Sequence, residues 1–419
     1  MAVPAAGWAR GRSAEVRSPR LESLARFDVL VLTALLWFLA KFLRYAFPPL
    51  FEPLQTTYAV SNVTIGAAFT AFMLAYAAMQ FPSGALADRV GSVRVIAGGA
   101  LLAAAGAFAL VVESPFPVLV GAMVVIGAGT GAHKTVAVRL LSRSYPARTG
   151  RALGVLDTIG TFGGVVAPPA VVLALEVTGP FGGAGWRYVF LAAGLFGVLL
   201  VVAFVRRTPN RLPDEGSATV ERVRFRPYLT AFGDPRFSLF VLVTLCYSFS
   251  YNGVVAFLPL YLTSEVGLAV GTAGVLYSAL FAASLAQLAT GEASDRIGRL
   301  PIMAVALGVS GAAIALLSLG AAELAGLPVV AAIVVVAIGL GAHGFRPVRS
   351  AYLVALLPAS LTGGGLGVVR TLLMGAGAVS PAIVGLLADV VGFRVAFSVL
   401  AASMLAGSAL VCVLWATGR

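Results

Sequence analysis

The fold class this sequence predicts is an all-α polytopic membrane protein, with twelve transmembrane helices in two pseudo-symmetric six-helix bundles. Three observations predict it. Of 419 residues, 59% are hydrophobic and 11% charged, where a soluble domain carries about 25% charged residues, and the mean hydropathy is +0.97. The chain divides into twelve apolar runs of about 35 residues each with their loops, and one membrane helix needs about 20. Several segments of the first half recur in the second. A water-soluble enzyme is excluded.

Residues 1–27 read as a cytoplasmic tail carrying Arg10, Arg12, Arg17, Arg20 and Arg26, without the apolar stretch and small-residue cleavage site of a signal peptide. The first apolar run, near residue 28, should therefore remain as a helix. Later runs start near 63, 95, 117, 152 and 187, each after a break of Gly, Pro or charge, and complete a first bundle over 28–205. Residues 206–236 form the longest polar stretch and read as a cytoplasmic linker. Runs starting near 237, 271, 301, 328, 364 and 393 make the second bundle, 237–419. Most of the 29 Lys and Arg then fall on one side, and this bias places both termini in the cytoplasm of a multi-pass plasma-membrane protein. The net charge of +12 belongs to basic loops facing anionic lipid, so no nucleic-acid partner is expected.

The repeat shows at independent places. GALADRVG at 84–91 answers GEASDRIG at 291–298, and GWRYVF at 185–190 answers GFRVAF at 392–397. IGAG at 126 pairs with IGLG at 338, and DTIGTFGGVVAP (157–168) with RTLLMGAGAVSP (370–381). Six helices duplicated in parallel is a transporter architecture, because alternating access needs two bundles rocking about a site between them.

Gly84, Leu86, Asp88, Arg89 and Gly91, with Arg94 beyond, resemble the signature loop of the major facilitator superfamily. The second copy is Gly291, Asp295, Arg296 and Gly298, followed by Arg299. The resemblance covers the whole chain and implies that family's fold, with Gly84, Asp88, Arg89, Gly91, Gly291, Asp295, Arg296 and Gly298 in gating; topology-setting charge is the alternative, above all for Arg94. The glycines would permit a tight turn and Asp88 could cap the third helix. GTFGGVVAPP (160–169), a cation in span 1 and FPSG before the loop are similar to the anion:cation symporters, which carry sugar acids and other carboxylates. Drug-exporting branches usually show a Gly-Pro pair before Gly-Gly in span 5, whereas Thr161 and Phe162 precede Gly163 and Gly164 here. The chain departs from several of those symporters as well, since Gly127 to Arg139 holds no acid.

An ionisable residue near the bilayer centre costs at least about 2.5–3.5 kcal/mol, so it should face protein or water. Lys41, Arg44, Lys134, Arg346 and Arg370 are cations within spans, and Asp157 is an acid. In the fold this resembles, helices 1, 4, 7 and 10 line the central cavity. Lys41 and Arg44 lie three residues apart on one face, and Lys134 and Arg346 are repeat counterparts that could clamp an anion from opposite sides. Tyr247, Tyr251 and Asn252 complete the candidate substrate site, with Tyr76 and Gln80 either donating to substrate or bonding between helices. Snorkelling towards the inner headgroups is the alternative for Lys134 and Arg346. Asp157, its counterpart Arg370, and His133 and His343 are the candidates for ion coupling, Asp157 serving either as a relay or as the partner of a cation.

GAGTGAHKT at 127–135 approaches a phosphate-binding loop, but His133 replaces the required glycine and the flanks are apolar, so ATP binding is excluded. Cys246 and Cys412 form neither a disulfide framework nor a metal pattern. No cofactor and no metal are expected, and no catalytic constellation is present. The expected function is secondary transport of a small organic anion, driven by a proton or sodium gradient, by a chain working as a monomer in the bilayer. The alternative is proton-coupled efflux of amphipathic compounds.

Overall fold

A computed structural model describes residues 19–177, 184–208, 232–320, 327–356, 374–375 and 377–417. The helices are α1 Phe27–Tyr58, α2 Asn62–Val90, α3 Ser92–Ala109, α4 Phe116–Ser144, α5 Pro146–Leu175 and α6 Trp186–Arg207. They continue with α7 Pro235–Ser264, α8 Val270–Ile297, α9 Arg299–Leu319, α10 Pro328–Leu356, the shorter apolar α11 Ser380–Val391, and α12 Phe393–Ala416. Eleven are long and apolar enough to cross a membrane, and no strand occurs among the described residues. Hydrocarbon offers no partner for backbone polar groups, so apolar runs of this length close their hydrogen bonds within the helix. The expected starts agree with the eleven long helices to within a few residues. The start expected near 364, most of the 206–236 linker and Arg370 lie outside the described residues. Regular helix begins earlier than expected at the front of the chain, at Pro19, where proline suits the first turn because its missing N–H needs no partner.

Three spans are interrupted along their length. In α1 the Pro48–Leu50 segment is a tight 3-10 turn, in α8 the Ala283–Leu285 segment is another, and α4 is interrupted at Ala132, just before His133. Gly91 and Gly298 end α2 and α8 with φ of 89° and 106°, a region that favours glycine. The second glycine of each loop copy thus makes the tight turn, whereas Gly84 and Gly291 lie inside helices. The expected capping of α3 by Asp88 does not occur. Gly91 occupies the cap without a side-chain bond, and Asp88, in the last turn of α2, is instead ion-paired with Arg139 of α4.

Packing repeats between the first six helices and the rest. α1 packs on α5 and α6, α2 on α4, and α3 on α4 and α6; likewise α7 packs on α11 and α12, α8 on α10, and α9 on α10 and α12. Two symmetry-related contacts join the sets, α2 with α11 and α5 with α8. The seam is close at the face opposite the chain ends, called the far face below. There the Asp389 carboxylate of α11 accepts from the backbone N–H groups of Asn62 and Val63 at 3.2 and 2.8 Å and from the Asn62 side-chain amide at 2.8 Å. These are first-turn donors of α2 with no partner inside the helix, and the negative charge complements the helix dipole. The Thr70 hydroxyl accepts from the Ala382 N–H at 3.0 Å, and the Glu52 carboxylate accepts from the Thr263 hydroxyl at 2.9 Å.

Candidate functional site

Arg44 occupies the last turn of regular helix before the Pro48–Leu50 break. Its Nη2 donates to Asn252 Oδ1 at 3.0 Å, a bond from α1 to α7, and Asn252 is itself oriented by donating its amide to the Ser248 carbonyl at 2.8 Å. The guanidinium carbon lies 5.4 Å from the Tyr45 ring centre and 5.5 Å from that of Tyr76. Its Nε is buried without a hydrogen-bond partner, leaving part of the donor fork unused.

Lys41, one turn earlier, points its Nζ at the Thr161 hydroxyl at 3.5 Å and lies 5.5 Å from the Trp37 ring centre. Trp37 is the hub of this side. His133 stacks on it at 5.7 Å with an 8° tilt, and Lys134 Nζ lies 5.3 Å from its centre. Gly160 of α5 allows the approach, because a Cβ there would come within 2.1 Å of the indole. Lys134 is ion-paired with Asp157, the lysine side chain 7% and the aspartate 59% exposed. His133 Nε2 donates to the Thr33 carbonyl at 3.1 Å, which together with the stacking gives this histidine a packing role.

The third cation, Arg346 of α10, donates its Nε to the Tyr247 hydroxyl at 2.9 Å, and its Cζ lies 4.4 Å from the Tyr251 ring centre. The Tyr247 hydroxyl donates a hydrogen bond to the Ala342 carbonyl at 3.0 Å, and its ring stacks on Tyr251 at 5.7 Å. His343 is buried and packs edge-on against Tyr251 and Phe281. Arg44 thus lies against the Tyr45 ring and Arg346 against the Tyr251 ring.

The structure therefore gathers Lys41, Arg44, Arg346, Tyr247, Tyr251 and Asn252 into one cationic, aromatic-walled centre and sets Lys134 and Asp157 beside it as a pair. Gln80 serves interhelix bonding, its side-chain carbonyl accepting from Thr135 at 2.8 Å. Trp37, Tyr45 and Thr161 were missed by sequence reasoning. Trp37 and Lys41 are spaced i, i+4 on a helix, a signal that was available; the Thr161 contact carries none. At the face of the chain ends, Asp88 and Arg139 tie α2 to α4, whereas Arg296 of the second copy pairs within its own helix with Glu292. Asp88→Asn should slow transport several-fold with substrate affinity nearly unchanged, and Asp295→Asn should be milder. A collapse of equilibrium binding in Asp88→Asn, with normal turnover per bound substrate, would remove the gating role.

The sequence pattern of the Major Facilitator Superfamily matches residues 33–286 and 240–419. The oxalate:formate antiporter of Oxalobacter formigenes is 28% identical over 297 residues, which cover 70% of this chain and 68% of that one. The 3-(3-hydroxy-phenyl)propionate transporter of Escherichia coli is 28% identical over 269 residues, 63% of each chain, so the match spans less than two thirds of that relative. The solved structure of a bacterial homologue of the human lysosomal transporter Spinster, inward-facing and occupied, superposes with a TM-score of 0.74 over 96% of each chain at 18% identity, a likeness of fold. Two copies of the signature loop, an all-helical membrane fold and a family pattern matched along nearly the whole chain place this protein in the Major Facilitator Superfamily of transporters.

Proposed function

We propose that the chain is a secondary active transporter that carries a small organic anion of the carboxylate type by alternating access. In this reading twelve crossings form two bundles of six, over 28–205 and 237–419, with both termini cytoplasmic in the plasma membrane. One observation carries it: Lys41, Arg44 and Arg346 stand deep in the spans with no carboxylate partner among the described residues. Each such charge costs at least about 2.5–3.5 kcal/mol at the bilayer centre, and rings and neutral acceptors offset only part of that. A bound anion supplies the missing counter-charge. The carboxylate chemistry in the names of the two relatives supports the same reading.

Alternating access follows from where the bonds lie. The far-face seam between α2 and α11 and between α5 and α8 holds the outer side shut, and the Arg44–Asn252 bond crosses between the two sets of helices beneath it. A substrate carboxylate takes the free part of the Arg44 fork in bidentate geometry. The Lys134–Asp157 pair next to it is the candidate for coupling to a proton or sodium ion. The oxalate:formate relative is an antiporter, so exchange stands beside ion symport as a mode of driving.

The test is a thermal-shift screen of the purified protein against carboxylates, phosphate esters and cationic dyes. Carboxylates are expected to raise the melting temperature and cationic dyes to leave it unchanged. Stabilisation by the dyes with no response to any anion would overturn the anion reading in favour of amphipath efflux.

A further inference from the structure

We infer that the transported anion carries two negative charges and that Arg44 and Arg346 each hold one of its acidic groups. This rests on the anion reading and narrows it, because the relatives' names span both two-headed acids such as oxalate and one-headed acids such as formate or a propionate.

The charge inventory comes first. The chain has 17 Asp and Glu. Among the described residues all but Asp157 fall in loops or towards the ends of helices, and the sequence of residues 357–373 contains no acid at all. Asp157 is engaged by Lys134. Among the described residues no carboxylate pairs with Arg44 or Arg346, and the repeat counterpart of Asp157 is Arg370, a further cation. A single negative charge leaves this centre with at least two uncompensated positive ones in a low-dielectric surrounding. A second charge removes most of that cost, and each 1.4 kcal/mol so recovered is a tenfold gain in affinity.

Geometry gives the second argument. Arg44 and Arg346 are not neighbours on one helix; they come from α1 and α10, one from each set of helices, Arg44 lying 5.4 Å from the Tyr45 ring centre and Arg346 4.4 Å from that of Tyr251. Each fork is held at one nitrogen by a neutral acceptor, Asn252 for Arg44 and Tyr247 for Arg346, which orients its remaining donors. A guanidinium on each side matches an acidic group on each end of a small ligand. A two-headed anion then ties α1 to α10 and draws the two sets of helices together around itself. A one-headed anion satisfies one side and leaves the sets untied. Charge count and placement therefore select the same ligand.

The experiment measures binding of oxalate, malonate and succinate against formate, acetate and propionate at pH 7, by calorimetry on the full-length protein in lipid nanodiscs. At least one of the three dianions should bind ten-fold or more tightly than the best monoanion. Arg44→Gln and Arg346→Gln should each bring that dianion down to the monoanion level while changing monoanion affinity only a few-fold, and Arg346→Lys should fall between. Size-exclusion profiles and melting temperatures establish that each variant is folded. Monoanions binding as tightly as dianions, or a folded Arg346→Gln that keeps the full preference, would overturn the two-charge inference and leave the anion reading standing. Binding of neither class by folded wild-type protein would overturn both.

Discussion

Arg44→Ala should lower substrate affinity at least about 30-fold and abolish measurable uptake, while the protein expresses, inserts and melts at or above the wild-type temperature. The two effects have opposite sign for one reason. Truncating one partner of a buried, hydrogen-bonded charge pair costs about 2–5 kcal/mol in binding, and the lost pair here is the one between the guanidinium and the anion. Among the described residues the same guanidinium meets Asn252 and two aromatic faces but no carboxylate, so its removal from the empty protein relieves desolvation. Arg44→Lys should recover little, because the ammonium is a point charge that cannot keep the Asn252 bond and present a fork to a carboxylate. Proteoliposome uptake beside a melting curve reads both effects. Wild-type transport by Arg44→Ala would end the substrate role of this residue.

The second large effect is expected at Asp157. Asp157→Asn should retain exchange of substrate down its own gradient and lose accumulation driven by an imposed pH gradient. The Lys134 ammonium is buried against Trp37 while the carboxylate is largely exposed, so the two ends of the pair stand in different surroundings. A substrate carboxylate near Lys134 competes with Asp157 for it, and an aspartate deprived of its cation takes up a proton more readily. That links substrate binding to protonation. Uptake into proteoliposomes with and without a pH gradient, in wild type and variant, measures the link. Full pH-driven accumulation by Asp157→Asn would move the coupling elsewhere, and loss of both modes would make the pair purely structural. In the latter case Lys134→Met combined with Asp157→Asn should restore folding, since it removes the stranded charge.

Most of the fold was legible because hydrocarbon imposes a length on every crossing, and ten of the eleven long spans begin at or close to a Gly, a Pro or a charge that interrupts an apolar run, the exception being α2, which follows Ser61. The tight turns at Gly91 and Gly298 were legible for a similar local reason. Partners were not. Asp88 was expected to cap the next helix, yet Arg139, about fifty positions away, holds it; these spans are apolar on nearly every face, so hydropathy does not say how a helix is rotated against its neighbours. The charged residues of the site stood out by their cost, whereas Trp37 and Tyr45, which wall the charges, looked like any other aromatic residue in a span. His133 looked titratable from sequence, and its ring is instead committed to a carbonyl and an indole.

The Asp389 contact at the far face bears on how readily that side parts. A joint of interlocked leucines would have to expose oil to water on opening. Here a carboxylate bonded to helix-end amides can trade each bond for one to water, and the net worth of such charged hydrogen bonds is about 1.5–3 kcal/mol apiece. Beside it, Gly385 meets the Asn62 carbonyl and Gly66 meets that of Pro381, so little side-chain bulk has to be disengaged. The joint behaves as a wet hinge pin: firm when seated, and released by exchanging its bonds for bonds to water one at a time. In the alternating-access reading proposed above, that suits a door which swings once for every molecule carried.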